Sequence, residues 1–222
     1  MAAHEGRLNV LASNLANIGT TGFKRELATA HEQQLLRRLG PVSGVVNRSE
    51  VDFGQGTLQR TGRPLDLALN GDGFFVVEGP RGELFTREGA FHTTQDGVLV
   101  MSDGLPVAWE EQRGAIDTTG LPVVVDHEGN VRQGQFTIGR LRIVDFDDRS
   151  GLQRRADSYW EAPATLRQVT PTAVVHQGAL EGSNANPMEE LIAMITLQRS
   201  YEATSSAFSG LAETYQRLTR PF

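Results

Sequence analysis

Three textures of hydrophobic patterning follow one another along the chain. In the first, Leu8, Leu11, Leu15 and Ile18 recur at a 3-4-3 spacing, which places them on one stripe of a helix, with Asn9, Ser13, Asn14 and Asn17 around it. Gly19-Thr20-Thr21-Gly22 breaks that helix, and a weaker apolar set follows in Phe23, Leu27, Leu35, Leu36 and Leu39 before Gly40-Pro41. Residues 1–39 therefore read as helical. In the second texture, short apolar runs alternate with turn signals. The runs are Leu65 to Leu69, Phe74 to Val77, Gly97 to Met101, Leu121 to Val125 and Ile138 to Val144. Between them stand turns such as Asn70-Gly71-Asp72-Gly73 and Gly79-Pro80-Arg81-Gly82, at a strand spacing of roughly 8–12 residues that suits a sandwich or barrel-like β-domain.

The third texture is helical again. Asn186 is a good N-cap, Pro187 fits the first helical position and Glu189 the third. From there Met194, Leu197, Tyr201, Thr204, Phe208, Leu211, Tyr215 and Leu218 repeat at alternating spacings of 3 and 4, a coiled-coil-like seam with one polar member. Leu191, Ile192 and Ile195 are expected to widen that stripe at its start. Pro187 to Leu218 would make a helix about 48 Å long at 1.5 Å per residue.

These textures define a fold class: a mainly β central domain, sandwich or barrel-like, flanked by N- and C-terminal α-helices that form a stalk. The division is 1–39 as an N-terminal helical segment, 40–171 as linker and β-rich domain, and 172–222 as linker and C-terminal long helix. A fragment from about Gly54 to Pro171 is expected to fold alone. An apolar seam left in water forfeits most of what its burial would contribute, so it invites a partner.

Composition narrows the function. With 21 basic against 27 acidic residues the net charge is −6, which disfavours a nucleic-acid partner bound on a broad basic face. The absence of cysteine removes disulfides, thiolate metal sites and a cysteine nucleophile. No apolar run reaches the length of a membrane span, and no charged-then-apolar leader opens the sequence. His4, His31, His92, His127 and His176 are scattered without metal-ligand spacing. Asp126-His127-Glu128-Gly129-Asn130 has some features of a calcium loop, but its Gly comes too early and no Glu closes it. Gly71-Asp72-Gly73 lacks the third Gly of a dinucleotide fingerprint. No catalytic residue, cofactor, metal or small-molecule substrate is expected.

Three stretches carry a family resemblance. Asn14-Leu15-Ala16-Asn17-Ile18-Gly19-Thr20-Thr21-Gly22-Phe23-Lys24-Arg25 resembles the N-terminal signature of bacterial flagellar rod and hook proteins, carried here by Asn14, Asn17, Thr20, Gly22, Phe23 and Lys24. Leu69 to Val77, followed by Phe85-Thr86-Arg87-Glu88-Gly89-Ala90-Phe91, is similar to their core strands. Leu180-Glu181-Gly182-Ser183-Asn184-Ala185-Asn186-Pro187, running into Gln198-Arg199-Ser200-Tyr201-Glu202, is similar to the start of their C-terminal helix. Within the family, Pro64 to Leu69 and Ile138 to Val144 look more like the proximal-rod type, with the distal-rod or hook type second and a secreted β-rich binding module a more distant alternative.

The resemblance implies a structural subunit of the basal-body rod that crosses the periplasm. Its partners would be other rod proteins, copies of itself and the flagellar export apparatus, which delivers such proteins without a cleaved signal peptide. It also implies a start further upstream than Met1. Leu8, Leu11, Leu15 and Ile18, with Met194, Leu197, Tyr201, Phe208, Leu211, Tyr215 and Leu218, would then be the assembly helices.

Overall fold

The structure is a computed structural model and describes residues 2–31, 46–156 and 158–218. It is mainly β, with a helix at each end of the described chain, α1 over Ala2–Ala16 and α2 over Pro187–Leu218. Two compact units are present. The first contains α1, α2 and a two-stranded ladder of Glu26–His31 with Val46–Val51, as far as Glu50; the second contains Asn17–Arg25 and Val51–Ala185.

In the second unit the organising strand is Phe74–Gly79. Its apolar residues are consecutive because both of its faces are buried. Phe75 and Val77 join Leu67, Leu69, Phe91, Met101 and Val175 on one side; Phe74 and Val76 join Phe85, Phe146 and Trp160 on the other. The strand lies inside a six-stranded antiparallel sheet, in the order Gln153–Ala156, Tyr159–Glu161, Gly82–Thr86, Phe74–Gly79, Ile143–Phe146 and Gln168–Val169. The expected turn after Phe74–Gly79 is a tight one: Gly79 pairs with Gly82 across Pro80-Arg81. A four-stranded sheet holds Val123–Val125, Asn130–Gln133, Phe136–Leu141 and Trp109–Gln112.

The structure departs from the sequence reading in three places. The helix expected over 1–39 ends at Ala16, and Glu26–His31 is a strand. The Gly19-to-Gly22 break is real, and beyond it the strand Glu26–His31 pairs with Val46–Val51 instead of starting a new helical turn. Leu35, Leu36 and Leu39 lie outside the described residues. Ile138 to Val144 divides at Arg142, so that Phe136–Leu141 and Ile143–Phe146 belong to different sheets. Finally, the β unit does not stop at Pro171. Val174–Gln177 pairs with Leu67–Asn70, and Ala179–Glu181 pairs with Leu58–Arg60.

Candidate functional site

The N-terminal signature folds inward. Phe23 and Lys24 are fully buried, and so is Glu181, which stands on the last strand of the β unit. Lys24 Nζ donates to Glu181 Oε1 at 2.6 Å and to the Gly54 carbonyl at 2.8 Å. Arg87 Nη1 donates to Glu181 Oε2 at 3.1 Å, and its Nη2 donates to the Gly71 carbonyl at 2.7 Å. The Gly56 amide donates to the same Glu181 Oε1 at 2.9 Å. One carboxylate therefore holds two buried cations, the Gly54 and Gly71 carbonyls and the Gly56 amide add backbone bonds, and Arg87 Nε is left buried without a hydrogen-bond partner. Burial pulls the Lys24 ammonium below its ordinary value, with the Glu181 carboxylate opposing; burial likewise lowers the Arg87 guanidinium against the same carboxylate.

Backbone bonds bind the same point. Gly22 N donates to Glu181 O at 2.8 Å, Arg25 N to Asn184 Oδ1 at 2.7 Å, and Asn184 Nδ2 to the Asp52 carbonyl at 2.8 Å. Arg154 lies over the Phe23 ring at 4.6 Å and the Trp160 ring at 4.8 Å while donating to the Lys24 carbonyl at 2.7 Å. We call this set of contacts the clasp.

Gly22 is the position where the clasp admits no side chain. Its φ is +69°, and an added Cβ would strike the backbone of Arg87 and Glu88. Gly22→Ala is expected to destabilise the protein by about 2–4 kcal/mol, from the left-handed conformation and overpacking together. Gly19→Ala meets nothing within 4 Å and should change stability by no more than about 0.5 kcal/mol. Urea unfolding of the two variants checks the contrast, and equal midpoints would refute it.

The other signature residues are accounted for locally. Asn17 accepts from the Thr20 hydroxyl at 3.1 Å, and Thr20 N donates to the Asn17 carbonyl, which closes the turn. Asn14, fully buried in the first unit, donates to the Glu26 carbonyl and accepts from the Glu26 amide, both at 2.8 Å. It also donates to Glu190 Oε2 at 3.3 Å, which places the C-terminal end of α1 beside the first turns of α2. The two helices pack together, with Leu11 and Leu15 half-buried and Leu8 partly exposed; Ile18, past the end of α1, is half-buried.

The cap of α2 forms as expected. Met188 N donates to Asn186 Oδ1 at 3.0 Å, and Asn186 Nδ2 donates to Glu189 Oε1 at 3.2 Å. Around the helix, Glu190, Met194, Leu197, Tyr201, Phe208, Leu211 and Tyr215 fall in an arc of about 100°. Glu190 and Leu197 are buried and Met194 is half-buried. Further along, Phe208, Leu211 and Tyr215 are exposed by 66%, 67% and 72%. From Asn14 back to Ala2, α1 reaches about 18 Å, whereas α2 continues about 42 Å beyond Glu190. The seam thus outruns its partner among the described residues. Thr204, its polar member, donates its hydroxyl to the Ser200 carbonyl at 2.8 Å. The side chain of Leu218 lies outside the described ones.

Leu191, Ile192 and Ile195 do not widen the seam. Together with Met188 they occupy an arc centred about 160° away from it, because steps of three and four from Met188 track the opposite side of the helix.

Comparison with known proteins follows the same geography. Residues 1–24 match the family model described as flagella basal body rod protein, residues 68–139 the FlgE/F/G D1 domain of flagellar hook proteins, and residues 176–220 the C-terminal model of flagellar basal body rod FlgEFG proteins. The chain is 37% identical over 215 residues to the flagellar basal-body rod protein FlgF of Caulobacter vibrioides, covering 93% of this chain and 87% of that one. It is 31% identical to FlgG of the same organism, over 94% of this chain and 91% of the relative, and 32% identical to FlgG of Buchnera aphidicola from Schizaphis graminum, over 98% and 95%. The chain belongs to the flagellar basal-body rod protein family. It is a structural rod subunit of the flagellar basal body.

In this rod protein each matched region supplies one charge of the clasp: Lys24 from the first, Arg87 from the second and Glu181 from the third. The signature residues therefore read as the means by which distant parts of the chain are fastened together. Sequence spacing gave no sign of Arg87, Glu181 or Asn184 as partners of Lys24 and Arg25, although all three lie inside the stretches that carried the resemblance. His127 and His176, far apart in sequence, do meet, with ring centroids 5.7 Å apart; among the described residues no group of three ligand side chains gathers there or elsewhere. The Asp126 carboxylate is turned inward on its own loop, accepting from the amides of Glu128 and Asn130.

Proposed function

We propose that this rod protein is a non-catalytic subunit of the proximal rod that joins copies of itself and neighbouring rod proteins through α1 and α2, and that it reaches the periplasm through the flagellar export apparatus. The observation that carries the assembly role is the exposed run of Phe208, Leu211 and Tyr215 on a helix whose upstream seam is packed. A shaft that transmits torque needs large interlocked contacts, and an exposed apolar stripe of this length marks such a contact. The proximal type is supported by the higher identity to FlgF than to FlgG within one organism. A distal-type subunit is the second reading, favoured by the fuller coverage of the Buchnera FlgG.

The test is Leu211→Asp. A charge there would be buried unpaired in the assembled rod, at a cost of several kcal/mol at every repeat of the contact. The variant is expected to keep the β unit folded and to abolish swimming, with the protein absent from purified basal bodies. Ser206→Asp, on the face away from the seam, should swim normally. Normal swimming with Leu211→Asp would remove the seam from the interface. The rod intermediates that accumulate in a deletion strain distinguish the proximal from the distal position.

A further inference from the structure

Asn70-Gly71 is the one Asn-Gly step in the chain. Such a step is chemically labile, because a glycine puts no side chain in the way when its amide nitrogen turns on the preceding side chain. Here Asn70 is the exposed last residue of the strand Leu67–Asn70, and Gly71 follows at a φ of +103°. Gln55 spans the step: its Nε2 donates to the Leu69 carbonyl at 3.0 Å, and its Oε1 accepts from the Gly71 amide at 3.1 Å. The nitrogen that would attack is therefore engaged as a donor, and the strand holds Asn70 extended, away from ring closure. On the far side of the step, the Gly71 carbonyl accepts from Arg87 Nη2 at 2.7 Å. Space there is short: a Cβ on Gly71 would meet the Thr172 carbonyl oxygen at 3.2 Å.

We propose that Asn70 is a deamidation site that Gln55 latches in the native fold, and that the clasp loosens when the modification occurs. The Gly71 amide nitrogen, its proton lost to hydroxide, attacks Asn70 Cγ. The N–Cγ bond forms, the Cγ–Nδ2 bond breaks, and Nδ2 leaves as ammonia with a proton taken from water. Water then opens the five-membered imide at one of its two carbonyls, giving aspartate or isoaspartate and a new carboxylate. Isoaspartate carries the main chain through the side-chain carbon, so one more carbon separates residues 70 and 71. Gly71 has little room against Thr172 to absorb the shift, and Arg87 would lose its carbonyl partner while Glu181 stays in place.

The test follows the tryptic peptide 61–81 of the purified full chain by mass spectrometry during incubation at mildly alkaline pH. The gain of one mass unit scores deamidation, and electron-transfer fragmentation scores isoaspartate. Gln55→Leu is expected to speed deamidation of the folded chain about fivefold or more, the factor that one lost hydrogen bond supports. Gln55→Glu keeps an acceptor for the Gly71 amide and should age at the rate of the unsubstituted chain. The unsubstituted chain unfolded in urea should age faster than either folded one. Folded protein bearing isoaspartate at position 70 should unfold at a lower urea concentration than unmodified protein. Equal rates for the folded and urea-unfolded chain, or for Gln55→Leu and the unsubstituted chain, would overturn the latch, and so would a Glu variant as fast as the Leu variant. Hydrogen exchange at the Gly71 amide of the unsubstituted chain decides without any variant: protection is expected, and exchange at the rate of an open loop would overturn the latch. An unchanged urea midpoint after modification would overturn the link to the clasp.

Discussion

Glu181→Ala is expected to be among the most damaging single substitutions in the chain. It would leave the buried ammonium of Lys24 and guanidinium of Arg87 facing each other with no carboxylate between them. Breaking a buried ion pair from one side costs about 3–5 kcal/mol, a large part of the roughly 5–15 kcal/mol that holds a typical domain together. Lys24→Met should be distinctly milder. It leaves Arg87 and Glu181 as a balanced pair, and the Gly54 carbonyl keeps its bond from Asn184 at 3.0 Å. The order of the two variants is the diagnostic result, read from urea unfolding followed by the fluorescence of the buried Trp160. If Lys24→Met proved as costly as Glu181→Ala, packing around the stem of Lys24, not charge balance, would be what the clasp supplies.

The second large effect concerns where the β unit can be cut. The fragment from Gly54 to Pro171, expected from the sequence to fold alone, lacks Val174–Gln177, Ala179–Glu181 and Lys24. It would expose Leu67 and Leu69 on the side where Val175 packs and would leave Arg87 without its carboxylate. We expect it to be unfolded or aggregated. A fragment from Asn17 to Ala185 holds all of the second unit and should unfold cooperatively as a monomer. Circular dichroism and sedimentation of the two fragments decide the matter; a stable, monomeric fragment ending at Pro171 would show that the C-terminal strands are dispensable.

What the sequence made legible was periodic or capped. The α2 start was readable because Asn186, Pro187 and Glu189 each satisfy a local rule. Phe74 to Val77 stood out because a strand buried on both faces is a continuous apolar run. Edge strands were harder. Trp109–Gln112 and Gln153–Ala156 carry Glu, Gln and Arg on solvent-facing positions and show no alternation that a pattern could catch. The switch between sheets at Arg142 was hidden for another reason. Arg142 N donates to the Ala108 carbonyl and Val76 N to the Arg142 carbonyl, so the break depends on partners far away in sequence. The second apolar face of α2 is hard to separate from the seam in the sequence because Leu191, Ile192 and Ile195 adjoin Met194 along the chain while lying on the other side of the axis.

The clasp also bears on the timing of folding. Lys24 and Glu181 are 157 positions apart, so the loop they close spans nearly the whole β unit. Closing so long a loop costs conformational entropy before any bond forms, and folds that depend on such distant pairings acquire their structure slowly. A chain delivered from its N-terminus would present Lys24 early and hold it without a carboxylate until residue 181 arrived. The β unit would then complete itself late and in one step, after most of the polypeptide had already passed through whatever conduit delivers it.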